Sequence, residues 1–121
     1  MKPPLQPDVL VALRDALRGF AAERDWEQFH TPKNLAMALS GEAGEVIEHF
    51  QWLTAEQSAN LAPDARDAVA LELADVLLYL VRLADVLDVD LAAAARRKLA
   101  INAERYPVDR ARGRSEKYDR L

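Results

Sequence analysis

The sequence predicts an all-α protein that forms a four-helix bundle and assembles as a homo-oligomer. Apolar residues recur at helical spacing along most of the 121 residues, and no window alternates apolar and polar residues as a half-buried strand does. The chain also lacks the Asn-Gly and Asp-Gly pairs that close tight β-hairpins. Half of the residues are hydrophobic and 30% are charged, a balance typical of a single globular domain, which we predict to span residues 1–121.

The first helix is predicted over residues 8–23, because its apolar residues fall on one stripe with the period of a helix. The stripe comprises Val9, Leu13, Ala16, Leu17 and Phe20. A polar break follows at residues 24–30, and two aromatic residues, Trp26 and Phe29, interrupt it.

The second helix has a clear start, with Thr31 as its N-cap and Pro32 at its first position. We predict that it continues to about residue 51. Gly41 and Gly44 lower the intrinsic helical preference of this segment, so we expect another group to approach the backbone closely at these positions.

The third helix is predicted from Pro63 to about residue 87. A linker at residues 53–62, with one helical turn capped by Thr54, precedes it. The middle of the third helix is apolar nearly all round, which is typical of a central helix or of a subunit interface.

The fourth helix is predicted over residues 91–105, with Asp90 as its N-cap. Pro107 ends it, since proline cannot continue the hydrogen-bonding pattern of a helix. A basic tail begins at about residue 106. Residues 105–121 hold six Arg or Lys and three Asp or Glu, a local charge of +3.

Charge and composition exclude several classes of protein. The net charge of −4 argues against a nucleic-acid binder that relies on overall positive charge. The apolar run at residues 68–87 contains four charged residues, which argues against a membrane span. The sequence contains no cysteine, and its first residues lack the apolar stretch of a signal peptide, so we predict a cytoplasmic location.

Two pairs of carboxylates are the most informative feature of the chain. Glu42 and Glu45 are three residues apart, as are Glu72 and Asp75, so each pair projects from one face of a helix. Acidic residues within apolar helices need a partner, and oxygen ligands of this kind favour Mg²⁺ or Mn²⁺ over zinc. A di-iron bundle would need Glu-x-x-His, which His49 does not complete.

Two further groups of residues allow both a structural and a functional interpretation. Trp26 and Trp52 flank the second helix in polar surroundings, where they either pack against the protein or stack on a planar base. The ends of that helix are about 26 Å apart at 1.5 Å per residue. One base can therefore contact both indoles only if residues 25–33 fold back or a second subunit supplies one of them. A polar stripe on the fourth helix is either solvated or binds phosphate. It comprises Lys98, Asn102 and Arg105.

Five motifs resemble the MazG-like, all-α nucleoside triphosphate pyrophosphohydrolases, and most closely their small dCTP pyrophosphatase type. They are Gly-Glu-Ala-Gly-Glu-Val, Glu-Leu-Ala-Asp-Val-Leu-Leu-Tyr-Leu, Lys-Leu-Ala-Ile-Asn-Ala-Glu-Arg-Tyr-Pro, Arg-Asp-Trp-Glu-Gln-Phe-His-Thr-Pro-Lys-Asn-Leu and Phe-Gln-Trp. The resemblance covers nearly the whole chain. It implies a MazG fold, a homotetramer with active sites at subunit boundaries, and Mg²⁺-dependent hydrolysis between the α- and β-phosphates of a nucleoside triphosphate, with dCTP or a modified dCTP as the expected substrate.

The resemblance also implies roles for particular residues. The metal ligands and catalytic carboxylates are expected to be Glu42, Glu45, Glu72 and Asp75. The expected substrate-binding residues are Trp26, His30, Asn34, Trp52, Tyr79, Lys98, Asn102 and Arg105. One position departs from the dCTP type, which carries a histidine on the first helix where this chain has Leu17. That departure predicts looser selectivity among bases. Two alternatives stay open: a phosphoribosyl-ATP pyrophosphohydrolase, and a non-catalytic helical adaptor.

Overall fold

A computed structural model describes residues 9–121, and all of the regular structure in this range is helical. The helices are α1 (Val9–Glu23), α2 (Pro32–Glu48), α3 (Ala55–Ser58), α4 (Pro63–Val86), α5 (Leu91–Arg105) and α6 (Val108–Ala111). Single 3₁₀ turns lie at Glu27–Phe29 and Tyr118–Arg120. The predicted first helical residue, Asp8, lies outside the described residues. Among residues 9–121, no helix is both long enough and apolar enough to cross a membrane.

The predicted start at Pro63 is confirmed, and so are the N-caps at Thr31, Thr54 and Asp90, each of which depends on a hydrogen bond to a residue three positions later. The Thr31 hydroxyl accepts a hydrogen bond from the backbone N–H of Asn34 at 3.2 Å. The Asp90 carboxylate accepts one from the N–H of Ala93 at 3.0 Å. Thr54 caps the predicted single turn in the linker and exchanges hydrogen bonds with the residue three positions later, which forms a complete capping box.

The predicted end of the second helix is wrong by three residues. α2 ends at Glu48 and not at residue 51. Beyond it, the backbone N–H groups of His49 and Phe50 donate to carbonyls three residues earlier, at 3.2 and 2.9 Å. The chain therefore tightens into a 3₁₀-like turn at the end of the α-helix, a common way for a helix to finish.

The described chain divides into two compact units, residues 9–89 and residues 90–121. In the first unit, α4 packs along α2 and also contacts α1. The apolar core is small and centres on Leu35, which is 1% exposed. The other buried hydrophobic residues are Ala21, Val69, Val81 and Ala84. A single domain over the whole chain stays a prediction.

Many large apolar side chains of the first unit remain exposed, which agrees with the apolar character predicted for the third helix. Met37 and Ile47 on α2 and Leu71 and Leu73 on α4 are each at least 54% exposed. A patch of apolar residues of this kind is typical of a surface that binds another protein.

The second unit contains α5, α6 and the C-terminal turn. The hydroxyl of Tyr106 accepts a hydrogen bond from the backbone N–H of Tyr118 at 3.2 Å. The two rings meet edge to face with their centroids 6.1 Å apart, and the guanidinium of Arg105 lies 4.7 Å from the Tyr118 ring centroid. These contacts hold the basic tail against the end of α5.

Candidate metal centre and nucleotide pocket

The structure brings three of the four predicted carboxylates together. Glu42 and Glu45 lie one turn apart on α2, and Glu72 lies on α4, which packs along α2. Each offers one carboxylate oxygen, and these three oxygens all lie within 4.8 Å of one another. Three oxygen ligands at this spacing match the donor set that hard divalent cations prefer.

Unpaired atoms in the cluster support this interpretation. Oε2 of Glu42 and Oε2 of Glu72 are buried, and neither has a hydrogen-bond partner among the described residues. A buried, unpaired carboxylate oxygen is costly, and a bound cation would remove that cost. The residues present therefore fit a divalent cation.

The crowding of negative charge also raises two pKa values. The pKa of Glu42 is raised first by burial and then by Glu45 and the charges of Asp75 and Glu72. The pKa of Glu72 is raised first by its interaction with Glu45, then by burial and by Asp75. His49 opposes this second shift, and its Nε2 lies 3.8 Å from Oε1 of Glu72.

Asp75 occupies a different position from the other three carboxylates. It is exposed, and it lines the neighbouring cavity, yet its charge acts on both Glu42 and Glu72. Leu71, about one turn before Asp75 on α4, is 64% exposed, whereas Leu78, about one turn after it, is half-buried and lines the cavity.

A cavity of about 420 Å³ opens beside Asp75. It is lined mainly by α1 and α4, and the segment between α1 and α2 completes it. The lining residues are Leu13, Ala16, Leu17, Phe20, Trp26, His30, Asp75, Leu78, Tyr79 and Arg82. Its walls are mostly apolar with a few polar groups, which is the usual character of a small-molecule site.

Trp26 reaches this cavity because the chain after α1 folds back on the helix. The backbone N–H of Trp26 donates to the carbonyl of Ala21 at 2.9 Å, and Asp25 adopts a left-handed conformation with φ of 54°. The indole packs edge to face on Phe20 and His30, with ring centroids 5.6 and 6.3 Å away. This turn places Trp26 in the cavity wall, but Trp52 is not among the residues that line the same cavity.

Trp52 is placed differently. It is 87% exposed, and it does not line the cavity among the described residues. Phe50 N–H and Leu53 N–H hold the surrounding turn through bonds to Ile47 and Phe50 carbonyls at 2.9 and 3.0 Å. An indole fixed on a tight turn and left in solvent is available to another molecule.

The remaining predicted substrate-binding residues fall into separate groups. Tyr79 is half-buried in the cavity wall. The side-chain amide of Asn34 donates to the carbonyl of Phe29 at 3.0 Å and so holds the turn before α2. Lys98, Asn102 and Arg105 lie on α5 in the second unit, where Asn102 is half-buried and the other two are exposed. A role in phosphate binding for these three residues stays a prediction.

Arg82 is a polar residue of the cavity that no sequence motif predicted as part of the site. It is 8% exposed, and its Nε donates to Nδ1 of His30 at 3.0 Å. Its Nη1 donates to Asp85 at 3.5 Å, and Arg18 donates to both carboxylate oxygens of Asp85 at 2.7 and 2.5 Å. The charge of Arg82 inside the apolar run was the signal that could have identified it.

No group of the described chain approaches Gly41 or Gly44 closely, so the predicted close approach of another group stays a prediction. A Cβ atom at either position would meet nothing within 4 Å outside the local helix backbone. Both residues lie on α2 beside the carboxylate cluster, so their lack of a side chain leaves that part of the helix surface open.

Replacing Glu42 with glutamine is expected to raise the Tm of the metal-free protein at pH 7. The substitution removes one of the crowded charges and keeps the side-chain volume. A carboxyl group whose pKa is raised by folding destabilises the folded state above that pKa, and the penalty fades as pH falls through it. The gain in Tm should therefore shrink between pH 7 and pH 4. Thermal melts in EDTA measure this, with Glu48→Gln on the same helix as the control. A lower Tm for Glu42→Gln at pH 7 would contradict the prediction.

The chain is similar to known proteins over most of its length. A sequence profile of the MazG-like family matches residues 37–121. The dCTP pyrophosphatase 1 of Homo sapiens is 52% identical over 104 residues, which cover 84% of this chain and 61% of the human protein. The protein of the same name from Bos taurus is 51% identical, with 84% and 62% covered. The crystal structure of a pyrophosphatase from Archaeoglobus fulgidus is 36% identical and aligns with a TM-score of 0.78 over 88% of this chain and 99% of its own. This chain thus spans about three fifths of the length of these curated relatives.

Proposed function

The chain belongs to the MazG-like family, and on that premise we propose that it is a Mg²⁺-dependent nucleoside triphosphate pyrophosphohydrolase. The proposed reaction converts dCTP, or a dCTP modified on the base, and water into the nucleoside monophosphate and pyrophosphate. The names of the relatives from Homo sapiens and Bos taurus support dCTP as the substrate. The cytoplasmic location predicted from composition is part of the same proposal.

The main support is a cluster of Glu42, Glu45 and Glu72 with unpaired buried oxygens. Asp75 lines an apolar cavity, and its charge acts on Glu42 and Glu72 of that cluster. In this arrangement the carboxylates would hold Mg²⁺ or Mn²⁺, and the cavity would hold the base. A nucleoside triphosphate has the matching chemistry, since its apolar aromatic base and its anionic phosphates lie at opposite ends of one molecule.

In the proposed mechanism, the carboxylates act on the phosphates through bound metal, and the cavity holds the base and the sugar. Bound divalent cations supply neutralisation of the phosphate charge and a water of lowered pKa. Glu42, Glu45, Glu72 and Asp75 would hold those cations, and one of the four would accept the proton of the attacking water. Trp26 stacks on the base, and Tyr79 contacts the sugar from the cavity wall. Lys98, Asn102 and Arg105 are proposed to bind phosphate oxygens.

We further propose that the protein assembles as a homotetramer and that Trp52 reaches the base bound by another subunit. The exposure of Trp52 outside the cavity supports this arrangement. So do the exposed apolar residues of α2 and α4, since monomeric proteins rarely leave such patches in water.

Met37→Asp is expected to lower the mass of the assembly, because Met37 is 63% exposed on α2 and a charge there would be buried in the subunit interface. Multi-angle light scattering at micromolar concentration measures the mass of the wild type and of the variant. A monomeric wild type would overturn both the assembly and the shared site.

A panel of canonical and base-modified nucleotides tests the activity itself. We expect the wild type to release pyrophosphate from dCTP in the presence of Mg²⁺ and to lose this activity in EDTA. Release from phosphoribosyl-ATP in preference to all nucleotides would favour the related pyrophosphohydrolase class. No release from any substrate would favour the non-catalytic adaptor. Pyrophosphate release undiminished by EDTA would contradict the metal-dependent mechanism.

A further inference from the structure

Arg82 is a buried cation in the wall of the cavity, and no step of the proposed hydrolysis uses it. It is 8% exposed and lines the cavity together with Trp26, Tyr79 and Leu17. Long charged side chains are seldom buried to this degree unless they have specific partners or a specific ligand. A base stacked on Trp26 would therefore lie in the same cavity as this guanidinium.

The guanidinium is held in place and still has donors to spare. Its Nε is committed to His30 at 3.0 Å, and its Nη1 makes a long contact with Asp85 at 3.5 Å. Asp85 is itself fixed by a bidentate pair with Arg18. Among the described residues Nη2 donates to no group, and it is not one of the fully buried unpaired atoms. Its N–H groups therefore remain unpaired within the described chain, in a side chain that lines the cavity.

His30 adds a second fixed donor to the same wall. Because Nδ1 accepts the hydrogen bond from Arg82, the proton of the neutral ring is assigned to Nε2. Burial and the charge of Arg82 lower the pKa of His30 and so favour the neutral ring. The wall near Trp26 thus offers hydrogen-bond donors at positions fixed by the fold.

Resting on the proposed function, we propose that Arg82 is the specificity-determining residue of the base pocket and donates hydrogen bonds to N3 and O2 of cytosine. These two acceptors are adjacent on one edge of the base, which suits the planar fork of a guanidinium. Uracil and thymine carry a proton on N3, so the same donors would face a donor. Sites that hydrogen-bond a substrate group discriminate strongly against analogues that lack it.

This role predicts tighter base selectivity than the departure at Leu17 alone would give. Leu17 does lie in the cavity wall, but Arg82 supplies a polar group to the same cavity. Substituents at C5 of cytosine leave N3 and O2 unchanged. The proposal therefore combines discrimination between cytosine and uracil with tolerance for 5-substituted cytosines.

The competing roles of Arg82 make different predictions. An arginine that binds the phosphates would help all nucleotides equally and leave base selectivity unchanged. An arginine that serves only the fold would lower stability without changing the ratio between substrates. Only contact with the base edge couples this residue to the identity of the base.

The first test compares Arg82→Met with the wild type. Methionine keeps the length of the side chain and removes its donors. We expect the ratio of kcat/KM for dCTP to that for dUTP to fall about tenfold or more, the usual loss for a hydrogen bond to a charged group. Arg66→Gln, an exposed arginine on the same helix, should leave the ratio unchanged. Circular dichroism and thermal melts verify that each variant is folded.

The second test compares two substrates of the wild type, so its main result does not depend on the folding of a variant. In 3-deaza-dCTP a C–H group replaces N3, which removes one acceptor and keeps the shape of the base. The wild type should process it about tenfold or more less efficiently than dCTP, and Arg82→Met should barely distinguish the two. Equal efficiency in the wild type, or a dCTP-to-dUTP ratio unchanged by Arg82→Met, would overturn the inference and leave the proposed function standing. A wild type that releases no pyrophosphate from any nucleotide would overturn both.

Discussion

Glu45→Gln and Asp75→Asn are each expected to reduce pyrophosphate release to background while the helices stay folded. Each substitution removes a negative charge from the carboxylate group without changing side-chain volume. An amide is a weak ligand for a hard divalent cation, so the charge that holds the metal is lost. Glu45 contributes one of the three clustered oxygens, and the charge of Asp75 acts on the other carboxylates. Initial rates of pyrophosphate release over a series of Mg²⁺ concentrations measure the effect.

Glu48→Gln is the matched control, since it lies on α2 one turn beyond Glu45 and outside the cluster. It should retain wild-type activity. Calorimetric titration with Mn²⁺ separates loss of the metal from loss of chemistry, because Glu45→Gln should bind the ion more weakly even without a nucleotide. Full activity in both Glu45→Gln and Asp75→Asn would refute the assignment of these carboxylates.

Trp26→Ala and Trp52→Ala are each expected to weaken nucleotide binding by about 1–3 kcal/mol, the usual range for stacking of a base on an aromatic side chain. The loss should appear mainly in KM, because stacking holds the ground state and the transition state alike. Steady-state kinetics with dCTP measure both constants. Phe29→Ala is the control for Trp26→Ala, since Phe29 is an exposed aromatic residue close to Trp26 that does not line the cavity. An unchanged KM in both tryptophan variants would contradict the proposal that these indoles stack on the base.

A mixing experiment determines which subunit supplies Trp52. Asp75→Asn alone should be inactive, and Trp52→Ala alone should have a raised KM. If Trp52 comes from a neighbouring subunit, assemblies formed from both variants contain some sites with an intact Asp75 and an intact Trp52. Such mixtures should regain activity with a KM close to that of the wild type. A mixture that shows only the KM of Trp52→Ala would place the indole and the carboxylates on one chain.

Local features of the fold were predictable because they depend on neighbouring residues. The caps at Thr31, Thr54 and Asp90 each involve a residue three positions later, and all three are present. The end of α2 was not predictable in the same way. No glycine or proline follows Glu48 directly, so nothing in the local sequence marks the change from α-helical to 3₁₀-like hydrogen bonding.

In the candidate site, too, the features that depend on neighbouring residues were predictable and those that depend on distant residues were not. The spacing within each carboxylate pair predicted a shared helix face, and the packing of α2 on α4 then brings Glu42, Glu45 and Glu72 together. The role of Arg82 depends on His30, which is 52 residues away in sequence. No local pattern reports such a contact. The exposure of Trp52 also depends on the tertiary fold and not on neighbouring residues.

Asp75 makes the two halves of the site thermodynamically interdependent. Its side chain lines the cavity, and its charge acts on Glu42 and Glu72. A cation on the carboxylates and a nucleotide in the cavity would therefore be linked ligands, and linkage is reciprocal. If bound Mg²⁺ raises the affinity for the nucleotide by a given factor, bound nucleotide raises the affinity for Mg²⁺ by the same factor. The half-saturating concentration of either ligand is then a function of the other, and at low nucleotide concentrations the protein should require more free Mg²⁺ to fill its site.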